Sequence, residues 1–323
     1  MRVLPAVAIG FLSAATALSA QPTRTQEYEA VSQPEQLDST TQAQNVRMRE
    51  DGYERMTVPV RISGRGPYRF LIDTGADRTA ISRDLAAMLQ LAKADKAILH
   101  SMTGISEVGT ANVPVLDLAA KQLRNVDAAL LERGNMGADG ILGLDSLHSE
   151  KILFDFKKET LTIIPSTANV PELRDSIVVT GRIRNGRLVL ADASADGTRL
   201  TICVDTGAQV SIGNEVLRKR LSRHDVKRMG NVQLVSVTGE TLMGQYTIVR
   251  KLEVGGVTLK DLPVVFTESH AFGRLGLEGK PALLLGMNAL RGFDRVSIDF
   301  AKRKLRVVLP EEGALDRSAF ASL

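Results

Sequence analysis

The chain has 323 residues, of which 44% are hydrophobic and 24% charged, and its formal net charge at pH 7 is +4. This composition is that of an ordinary globular protein with room for two modest domains or one large one. Trp is absent and aromatic residues make up only 4% of the chain. The chain therefore has few aromatic side chains on which the bases of a single-stranded nucleic acid could stack, and we expect no nucleic-acid partner.

The first predicted element is a secretory signal peptide at residues 1–20. An apolar run from Val3 to about Ala17 follows an arginine, and small residues lead up to Ala20, as is typical of such leaders. Cleavage after Ala17 and cleavage after Ala20 fit equally well. An uncleaved anchor is the alternative, although the run is shorter than the ~20 apolar residues that span a bilayer. We expect the protein to be exported to the periplasm and to be soluble, with no stable membrane insertion after signal cleavage.

A repeated motif dominates the rest of the chain. The stretch FLIDTGADRTAIS (70–82) returns as TICVDTGAQVSIG (201–213). The flanking segments repeat in the same order: SMTG (101–104) with SVTG (236–239), LDLAAKQLRNV (116–126) with LEVGGVTLKDL (252–262), GILGLDSL (140–147) with LLLGMNAL (283–290), and LFDFKKETLTIIP (153–165) with SIDFAKRKLRVVLP (297–310). We interpret the chain as a tandem duplication of a unit of about 110 residues, the size of one domain.

The duplication and the composition of the segments between the units predict the domain organisation. Residues 21–50 are rich in Gln, Thr, Ser and Glu, which cannot bury enough apolar surface to order themselves. The predicted segments are a disordered linker (21–50), an N-terminal lobe (51–165), an interlobe linker (166–175), a C-terminal lobe (176–310) and a tail (311–323).

Each unit consists mostly of predicted strands, with alternating or continuous β-branched runs between turn residues. One short helix is predicted after each Asp-Thr-Gly motif, with Ser82 and Asn214 as N-caps. A further turn of helix is predicted after Gly143 and after Gly286. The predicted fold class is therefore all-β with a few short helices.

Asp73 and Asp205 each end an apolar strand. Burying a carboxylate there costs free energy unless it is paired, hydrogen-bonded or protonated, so a functional role is a natural explanation. If the two units pack about a pseudo-two-fold axis, the carboxylates face each other and share one proton, because they cannot both ionise. One then acts as a base toward a water molecule while the protonated one donates to a substrate carbonyl oxygen. We predict that Asp73 and Asp205 are catalytic, with no metal and no organic cofactor.

The residues after each Asp suit such a pair. Glycine lets the backbone turn sharply and brings N–H groups to the carboxylates, and alanine keeps the turn tight. Each threonine hydroxyl is expected to bond the opposite strand at the seam between the units. The predicted supporting residues are Thr74, Gly75, Ala76, Thr206, Gly207 and Ala208.

The motifs Ile72–Ala76 with Ile141–Gly143, and Val204–Ala208 with Leu284–Gly286, resemble those of a retropepsin-like aspartic protease in single-chain duplicated form, similar to bacterial periplasmic aspartyl proteases. The resemblance covers residues 56–310. It implies two acid-protease-like lobes related by a pseudo-two-fold axis, with the active-site cleft between them. It further implies a monomeric aspartic endopeptidase that binds a protein or peptide substrate as an extended strand.

In that family the apolar-apolar-Gly segment supports the active-site turn, and a hairpin from each unit closes over the substrate as a flap. The flap and substrate-binding residues implied here are Met102, Thr103, Gly104, Val237, Thr238 and Gly239.

Three departures from the family pattern carry expectations of their own. Leu144 and Met287 stand where viral members carry Arg, so the ion pair that locks their dimers is expected to be missing. Gln209 stands where the first unit has Asp77, so the two halves of the cleft are expected to differ. The longer segment at 267–281 of the second unit is expected to cap one end of the cleft.

Two alternatives of the same fold stay open, namely a non-catalytic peptide-binding module and a zymogen masked by its N-terminal tail. A basic cluster also offers a site for nucleic acid or anionic lipid, although such a run is more often the solvated face of a helix. The cluster comprises Arg218, Lys219, Arg220, Arg223, Lys227 and Arg228.

The remaining chemistry-bearing residues indicate no second site. His100, His148, His224 and His270 are scattered without metal-ligand spacing, and we interpret them as ordinary surface or core histidines. Cys203 is the single cysteine of the chain and can form no internal disulfide. We interpret it as a small buried hydrophobic residue.

Overall fold

The structure is a computed structural model. It describes residues 44–47, 49–50, 56–119, 121–168, 176–221 and 226–310. The predicted signal peptide, residues 21–43 of the predicted linker, most of the predicted interlobe linker and the predicted tail lie outside the described residues.

Within the described residues the chain forms 22 strands and six short helices. The strands are β1 (Gln44–Arg47), β2 (Arg49–Glu50), β3 (Met56–Ile62), β4 (Arg65–Ile72), β5 (Ala80–Ser82), β6 (Lys93–His100), β7 (Ile105–Leu118), β8 (Lys121–Leu131), β9 (Gly140–Leu142), β10 (Glu150–Asp155), β11 (Thr160–Pro165), β12 (Ile177–Thr180), β13 (Arg182–Arg184), β14 (Arg187–Ala195), β15 (Thr198–Val204), β16 (Ser211–Gly213), β17 (Val226–Val235), β18 (Thr241–Val254), β19 (Val257–Phe266), β20 (Ala282–Leu285), β21 (Arg295–Asp299) and β22 (Lys304–Val308). The helices are α1 (Arg83–Met88), α2 (Arg133–Met136), α3 (Leu144–Leu147), α4 (Glu215–Arg220), α5 (His270–Arg274) and α6 (Met287–Leu290).

Each half of the chain builds an eight-stranded sheet, and the two sheets have corresponding strand orders. The order is β2-β3-β4-β9-β5-β8-β7-β6 in the N-terminal lobe and β13-β14-β15-β20-β16-β19-β18-β17 in the C-terminal lobe. In both, the strand that leads into Asp-Thr-Gly lies inside the sheet and pairs in parallel with the strand of the apolar-apolar-Gly segment. The prediction of a mostly β fold with two homologous lobes is confirmed.

A third, six-stranded sheet joins the two lobes, with the order β1-β11-β10-β21-β22-β12. Its centre is the antiparallel pair β10 and β21, in which Leu153 lies opposite Ser297. One hairpin of this sheet, β10–β11, comes from the first half of the chain and the other, β21–β22, comes from the second. Backbone hydrogen bonds that cross from one lobe to the other therefore fix their relative position.

The predicted disordered linker at 21–50 is wrong at its C-terminal end. Strand β1 pairs with β11, and β2 pairs with β3. Composition predicts whether side chains can build a core, whereas a strand at the edge of an existing sheet is held through backbone N–H and C=O groups. A polar sequence is therefore compatible with these two strands.

The predicted helices form where their caps place them. The Ser82 hydroxyl accepts a hydrogen bond from the Leu85 N–H at 3.2 Å, and the Asn214 side chain accepts one from the Leu217 N–H at 2.9 Å. Helices α3 and α6 are the predicted single turns after the apolar-apolar-Gly segments. Helices α2 and α5 were not predicted, and they occupy equivalent places between the last two strands of each lobe sheet.

One large core runs through both lobes and the shared sheet, and two smaller apolar clusters lie beside the cleft. Cleft cluster 1, in the N-terminal lobe, consists of Leu71, Ala80, Val108, Ala129, Leu131, Met136, Ala138 and Ile141. Cleft cluster 2, in the C-terminal lobe, consists of Cys203, Ile212, Phe272, Leu275, Leu277, Ala282 and Leu284. The interpretation of Cys203 as a buried hydrophobic residue is confirmed, and burial raises the pKa of its thiol to about 12.

In the part of the chain that the structure describes, no helix has both the length and the apolar character needed to cross a lipid bilayer.

Candidate active site

Asp73 and Asp205 lie directly after the interior strands β4 and β15, at the seam between the two lobes. Oδ1 of Asp73 accepts hydrogen bonds from the N–H groups of Gly75 at 2.7 Å and Ala76 at 3.0 Å. Oδ1 of Asp205 accepts one from the Gly207 N–H at 3.1 Å. Each turn therefore orients its own carboxylate through backbone donors.

The two threonines lock the turns of the two lobes together. The Thr206 hydroxyl accepts a hydrogen bond from the Thr74 N–H at 3.1 Å, and the Thr74 hydroxyl accepts one from the Thr206 N–H at 3.0 Å. The same hydroxyls donate to backbone carbonyls of the opposite lobe, Thr74 to Val204 at 2.9 Å and Thr206 to Ile72 at 2.7 Å. Both threonines are buried, so this reciprocal network holds the seam in one geometry.

The carboxylates sit against the glycines of the opposite turns. An added Cβ atom on Gly75 would lie 2.5 Å from Oδ1 of Asp205, and one on Gly207 would lie 2.2 Å from Cγ of Asp73. Each carboxylate therefore occupies the space that a side chain of the other turn would need. This contact brings Asp73 and Asp205 together, and we call the two residues the aspartate pair.

The electrostatics of the pair favour one retained proton. Burial, and then the charge of Asp73, raise the pKa of Asp205 from 3.8 to about 7. Arg187 and the N–H groups of Gly207 and Ala208 act in the opposite direction but do not overcome these effects. These effects favour a carboxylic acid beside a carboxylate over two ionised carboxylates as the pH approaches 7.

The apolar-apolar-Gly segments lie under the two turns. A Cβ atom on Gly143 would lie 2.5 Å from the carbonyl carbon of Arg78, and one on Gly286 would lie 2.7 Å from that of Val210. The next N–H in each segment donates to the alanine carbonyl of the turn, at 2.9 Å in the N-terminal lobe and 2.8 Å in the C-terminal lobe. Both segments therefore hold the backbone that carries the aspartate pair.

Asp145 and Asn288 were not identified from the sequence, although they hold the same turns. The Asp145 carboxylate accepts hydrogen bonds from the N–H of Thr79 at 3.0 and 2.9 Å and from its hydroxyl at 2.8 Å. Oδ1 of Asn288 accepts from the N–H and the hydroxyl of Ser211, both at 2.9 Å. The sequence repeat could have identified them, because both residues stand two positions after the glycine of the matched apolar-apolar-Gly segments.

An ion pair crosses between the lobes at the first turn. Arg187 of β14 reaches the carboxylate of Asp77 at 2.8 Å and donates from Nε to the Gly75 carbonyl at 2.9 Å. Leu144 and Met287, at the positions where the resemblance implied a missing ion pair, are buried and apolar. Neither position carries a charged side chain, and the ion pair that does cross between the lobes comes from a different strand, through Arg187.

The hairpins predicted as flaps lie over the cleft, and each tip packs on the opposite lobe. Flap 1 is the loop 101–104 between β6 and β7, and flap 2 is the loop 236–240 between β17 and β18. Met102 packs against cleft cluster 2, and Val237 packs against cleft cluster 1. The Thr103 hydroxyl of flap 1 donates to the Glu240 carboxylate of flap 2.

The longer segment of the second unit forms α5 and holds the tip of flap 1. The carbonyl of Met102 accepts hydrogen bonds from the Ser269 hydroxyl at 3.0 Å and the His270 N–H at 2.9 Å. Nδ1 of His100 lies 2.9 Å from Nε2 of His270. The two histidines stand 170 positions apart in the sequence, and the fold brings them into direct contact.

The aspartate pair, both flaps and both cleft clusters enclose a cavity of about 550 Å³. Apolar residues of both clusters contribute to its walls, and the flap residues Met102 and Val237 also line it. Asp73 and Asp205 lie on its floor. The cavity therefore lies between the two carboxylates and the two flaps.

The described side chains of the basic cluster do not line this cavity. Lys219 and Arg220 are exposed on α4, and Arg218 pairs with Glu215 at 2.6 Å. Arg223 lies outside the described residues, as do the side chains of Lys227 and Arg228. Among the described residues, no three His, Cys, Asp or Glu side chains converge as metal ligands would.

Comparison with known proteins gives the same division into two halves. Residues 58–149 match the family model described as "gag-polyprotein putative aspartyl protease". Residues 191–289 match the family model described as "Aspartyl protease". A search of curated proteins found no match. Together with the duplicated fold, the two matches show that the chain is a retropepsin-like aspartyl protease of the duplicated type, with two such domains in tandem.

Proposed function

We propose that the protein is an exported aspartic endopeptidase in which Asp73 and Asp205 activate a water molecule to hydrolyse a peptide bond. The observation that carries the proposal is the contact of each carboxylate with the glycine of the opposite turn. Two acidic groups this close share one proton, and the raised pKa of Asp205 supports this reading.

The proposed mechanism uses the two carboxyl groups as one acid and one base. The ionised carboxylate takes a proton from the water molecule while the water oxygen attacks the peptide carbonyl carbon. The protonated carboxyl group donates a hydrogen bond to the carbonyl oxygen. As the carbon becomes tetrahedral, this oxygen takes the proton and becomes a hydroxyl. The carboxyl group that took the water proton gives it to the amide nitrogen, and the C–N bond breaks. A hydroxyl of the tetrahedral intermediate returns its proton to the other carboxylate as the new carboxyl group forms, so the pair is again singly protonated.

The cleft suits an extended peptide better than a folded surface. Flaps 1 and 2 are β-hairpin loops above the aspartate pair, so their backbone groups can hydrogen-bond the backbone of a strand beneath them. The apolar walls of cleft clusters 1 and 2 favour apolar side chains on both sides of the bond to be cut. We propose that Met102, Thr103 and Gly104, with Val237, Thr238 and Gly239, contact the substrate.

Export is proposed from the apolar leader at residues 1–20. The proposed mature protein is a monomer with two lobes, since one chain supplies both members of the aspartate pair and the sheet that joins the lobes. The periplasm is proposed as the location from the resemblance to bacterial periplasmic aspartyl proteases. The reaction as proposed needs water alone and draws on no cofactor.

The test is cleavage of a quenched fluorescent peptide library by the purified protein, beside Asp73→Asn and Asp205→Asn variants. We expect cleavage by the wild type and at least a 100-fold loss in each variant, because neither can provide both the acid and the base. A statine-type peptide, whose hydroxyl mimics the tetrahedral state, is expected to inhibit more tightly than substrates bind.

Failure of the folded wild type to cut any peptide would reject the endopeptidase proposal for that form of the protein. Deletion of residues 21–43, which leaves β1 and β2 in place, then separates the alternatives. Activity gained on deletion identifies a masked zymogen. Binding of the statine peptide without cleavage in either form identifies a peptide-binding module.

A further inference from the structure

The two ends of the cleft differ in charge, although the fold that builds them is duplicated. We call the end formed by Asp77, Arg78, Arg187 and Arg274 the Asp77 end, and all four residues line the cavity. Three guanidinium groups and one carboxylate give this end a formal charge of +2.

The equivalent turn of the second unit carries Gln209 and Val210 in place of Asp77 and Arg78. Among the described residues that line the cavity, no charged side chain belongs to that end. The asymmetry also has a structural origin, because Arg274 lies on α5 within the longer segment of the second unit. The first unit has no segment of that length at this place.

The two arginines nearest Asp77 are held differently. Arg187 is largely enclosed, with 12% of its side chain exposed, and it bonds both Asp77 and the Gly75 carbonyl. Arg274 keeps 40% of its side chain exposed and reaches Asp77 at 3.4 Å. A guanidinium group has five N–H donors, so Arg274 can bind a second carboxylate from the cleft without giving up Asp77.

The backbone around Arg274 is fixed before any ligand arrives. The Asn185 side chain donates to the Arg274 carbonyl, and the N–H of His270 at the start of α5 donates to flap 1 at 2.9 Å. A cationic group on a held backbone loses less conformational freedom on binding than one on a free loop.

The local potential at this end is positive. Burial, and next the charge of Arg274, lower the pKa of His100, which lies beside flap 1. Arg187 acts in the same direction, and Asp77 only partly offsets the two arginines. A positive potential disfavours a further cation here and favours an anion.

We infer that the Asp77 end of the cleft selects an acidic side chain, Asp or Glu, of the extended substrate, with Arg274 as the residue that binds its carboxylate. This inference rests on the proposed function. Because the opposite end presents Gln209 and Val210, the preference applies to one side of the cleaved bond only. The carboxylate at the C-terminus of a short peptide has the same chemistry, so the test must separate it from a side chain.

The experiment measures kcat/KM for paired peptides that differ only by Glu or Gln, with the Glu moved through each position on both sides of the cleaved bond. All peptides are C-terminally amidated, and one added pair has Gln with a free or an amidated C-terminus. We expect the wild type to prefer Glu by about 3- to 10-fold at one position, on one side, and less at high salt. A preference seen only for the free C-terminus would overturn the side-chain assignment.

Arg274→Gln is expected to bring the Glu-to-Gln ratio close to one, and Arg274→Glu is expected to bring it below one. The ratio is measured within each enzyme, so a general loss of activity does not affect it. Arg220→Gln, on the exposed face of α4, is the matched control and should keep the wild-type ratio. A ratio of one in the wild type, or a ratio that Arg274→Gln leaves unchanged, would overturn the inference while the endopeptidase proposal stands.

If no peptide is cut, the proposed function fails and the inference is tested by binding instead. Labelled statine peptides with Glu or Gln at each position are titrated against the wild type and Arg274→Gln, with fluorescence anisotropy as the readout. Tighter binding of one Glu peptide, lost in Arg274→Gln, supports the inference. Equal affinities for all pairs overturn it.

Discussion

A Cβ atom on Gly207 would lie 2.2 Å from Cγ of Asp73, which is closer than any real Cβ contact. The φ angle of Gly207 lies outside the left-handed region, so an alanine there meets the opposite carboxylate without straining its own backbone. We predict that Gly207→Ala lowers kcat/KM by at least 100-fold, because Asp73 must move out of the pair.

Gly279→Ala is the matched control for that substitution, since no heavy atom lies within 4 Å of its added Cβ. It should retain wild-type kcat/KM in the same peptide assay. Full activity of a folded Gly207→Ala protein would show that the two carboxylates do not meet across the seam during catalysis.

The pKa of Asp205 predicts the alkaline limit of activity. Burial and the charge of Asp73 raise this pKa to about 7, so Asp205 keeps its proton below pH 7 and loses it above. Because the proposed mechanism needs one proton on the pair, kcat/KM should fall about tenfold per pH unit well above pH 7. A pH profile of kcat/KM measures this limit, and a rate that continues to rise from pH 7 to 9 would contradict the mechanism.

The same shift predicts a pH-dependent stability that needs no activity assay. Since the pKa of Asp205 is about 7 in the folded chain and 3.8 ordinarily, the folded state loses stability as the pH rises from about 4 to 7. Asn cannot ionise, so Asp205→Asn should stabilise the protein at pH 8 by roughly 2–4 kcal/mol and change little at pH 4.

Thermal unfolding at the two pH values checks this prediction, with Asp192→Asn as the control because the Asp192 carboxylate is exposed. The control should show no such difference between pH 4 and pH 8. An equal effect of Asp205→Asn at both pH values would mean that Asp205 ionises in the folded protein as it does in water.

The aspartate pair was predictable because each member occupies the same place in a repeated unit. Two equivalent strand ends meet only on the axis that relates the units. The reciprocal hydrogen bonds between Thr74 and Thr206 follow from the same symmetry. The support from Asp145 and Asn288 was equally open to this reasoning, since both stand at matched positions of the repeat.

Contacts that break the symmetry were not predictable in the same way. Arg187 and Asp77 are 110 positions apart and belong to strands or turns that are not equivalent, and His100 meets His270 through a segment that only the second unit carries. No periodicity marks such pairs, because their contact depends on how the two lobes are placed by the shared sheet. Strand β1 was missed for a similar reason, since the strand it pairs with lies more than 100 positions away.

The Arg187–Asp77 contact predicts a measurable coupling between the lobes. Arg187 is largely enclosed and also donates to the Gly75 carbonyl, so the coupling free energy of this pair should exceed that of an exposed ion pair. In a double-mutant cycle with Arg187→Met and Asp77→Asn, we expect a coupling free energy of about 1–2 kcal/mol from urea unfolding.

The exposed Lys96–Glu107 pair, at 2.5 Å with both side chains more than half exposed, serves as the reference cycle. We expect its coupling free energy to stay below about 0.5 kcal/mol. A coupling at Arg187–Asp77 no larger than this reference would mean that the ion pair does not hold the lobes together.

The His100–His270 contact predicts that flap 1 opens as the pH falls. With 2.9 Å between Nδ1 and Nε2, one ring must accept the hydrogen bond and therefore stay neutral. Burial, Arg274 and His270 lower the pKa of His100, with a smaller effect of Arg187, and Asp77 opposes them. The closed flap is thus favoured above pH 6.5, the ordinary pKa of histidine, and this preference is lost as the pH falls below it.

Hydrogen exchange at the flap 1 amides, corrected for the intrinsic effect of pH, measures this opening. We expect several-fold faster corrected exchange at pH 5 than at pH 7.5 in the wild type, and little difference in His270→Gln, because a neutral amide leaves no second cation beside His100. His148→Gln is the matched control, since His148 is exposed and bonds the Leu144 carbonyl of its own lobe. It should retain the wild-type pH dependence. Equal pH dependence in wild type and His270→Gln would separate flap opening from the histidine pair and leave the backbone bonds of Met102 to Ser269 and His270 as the contacts that hold the flap.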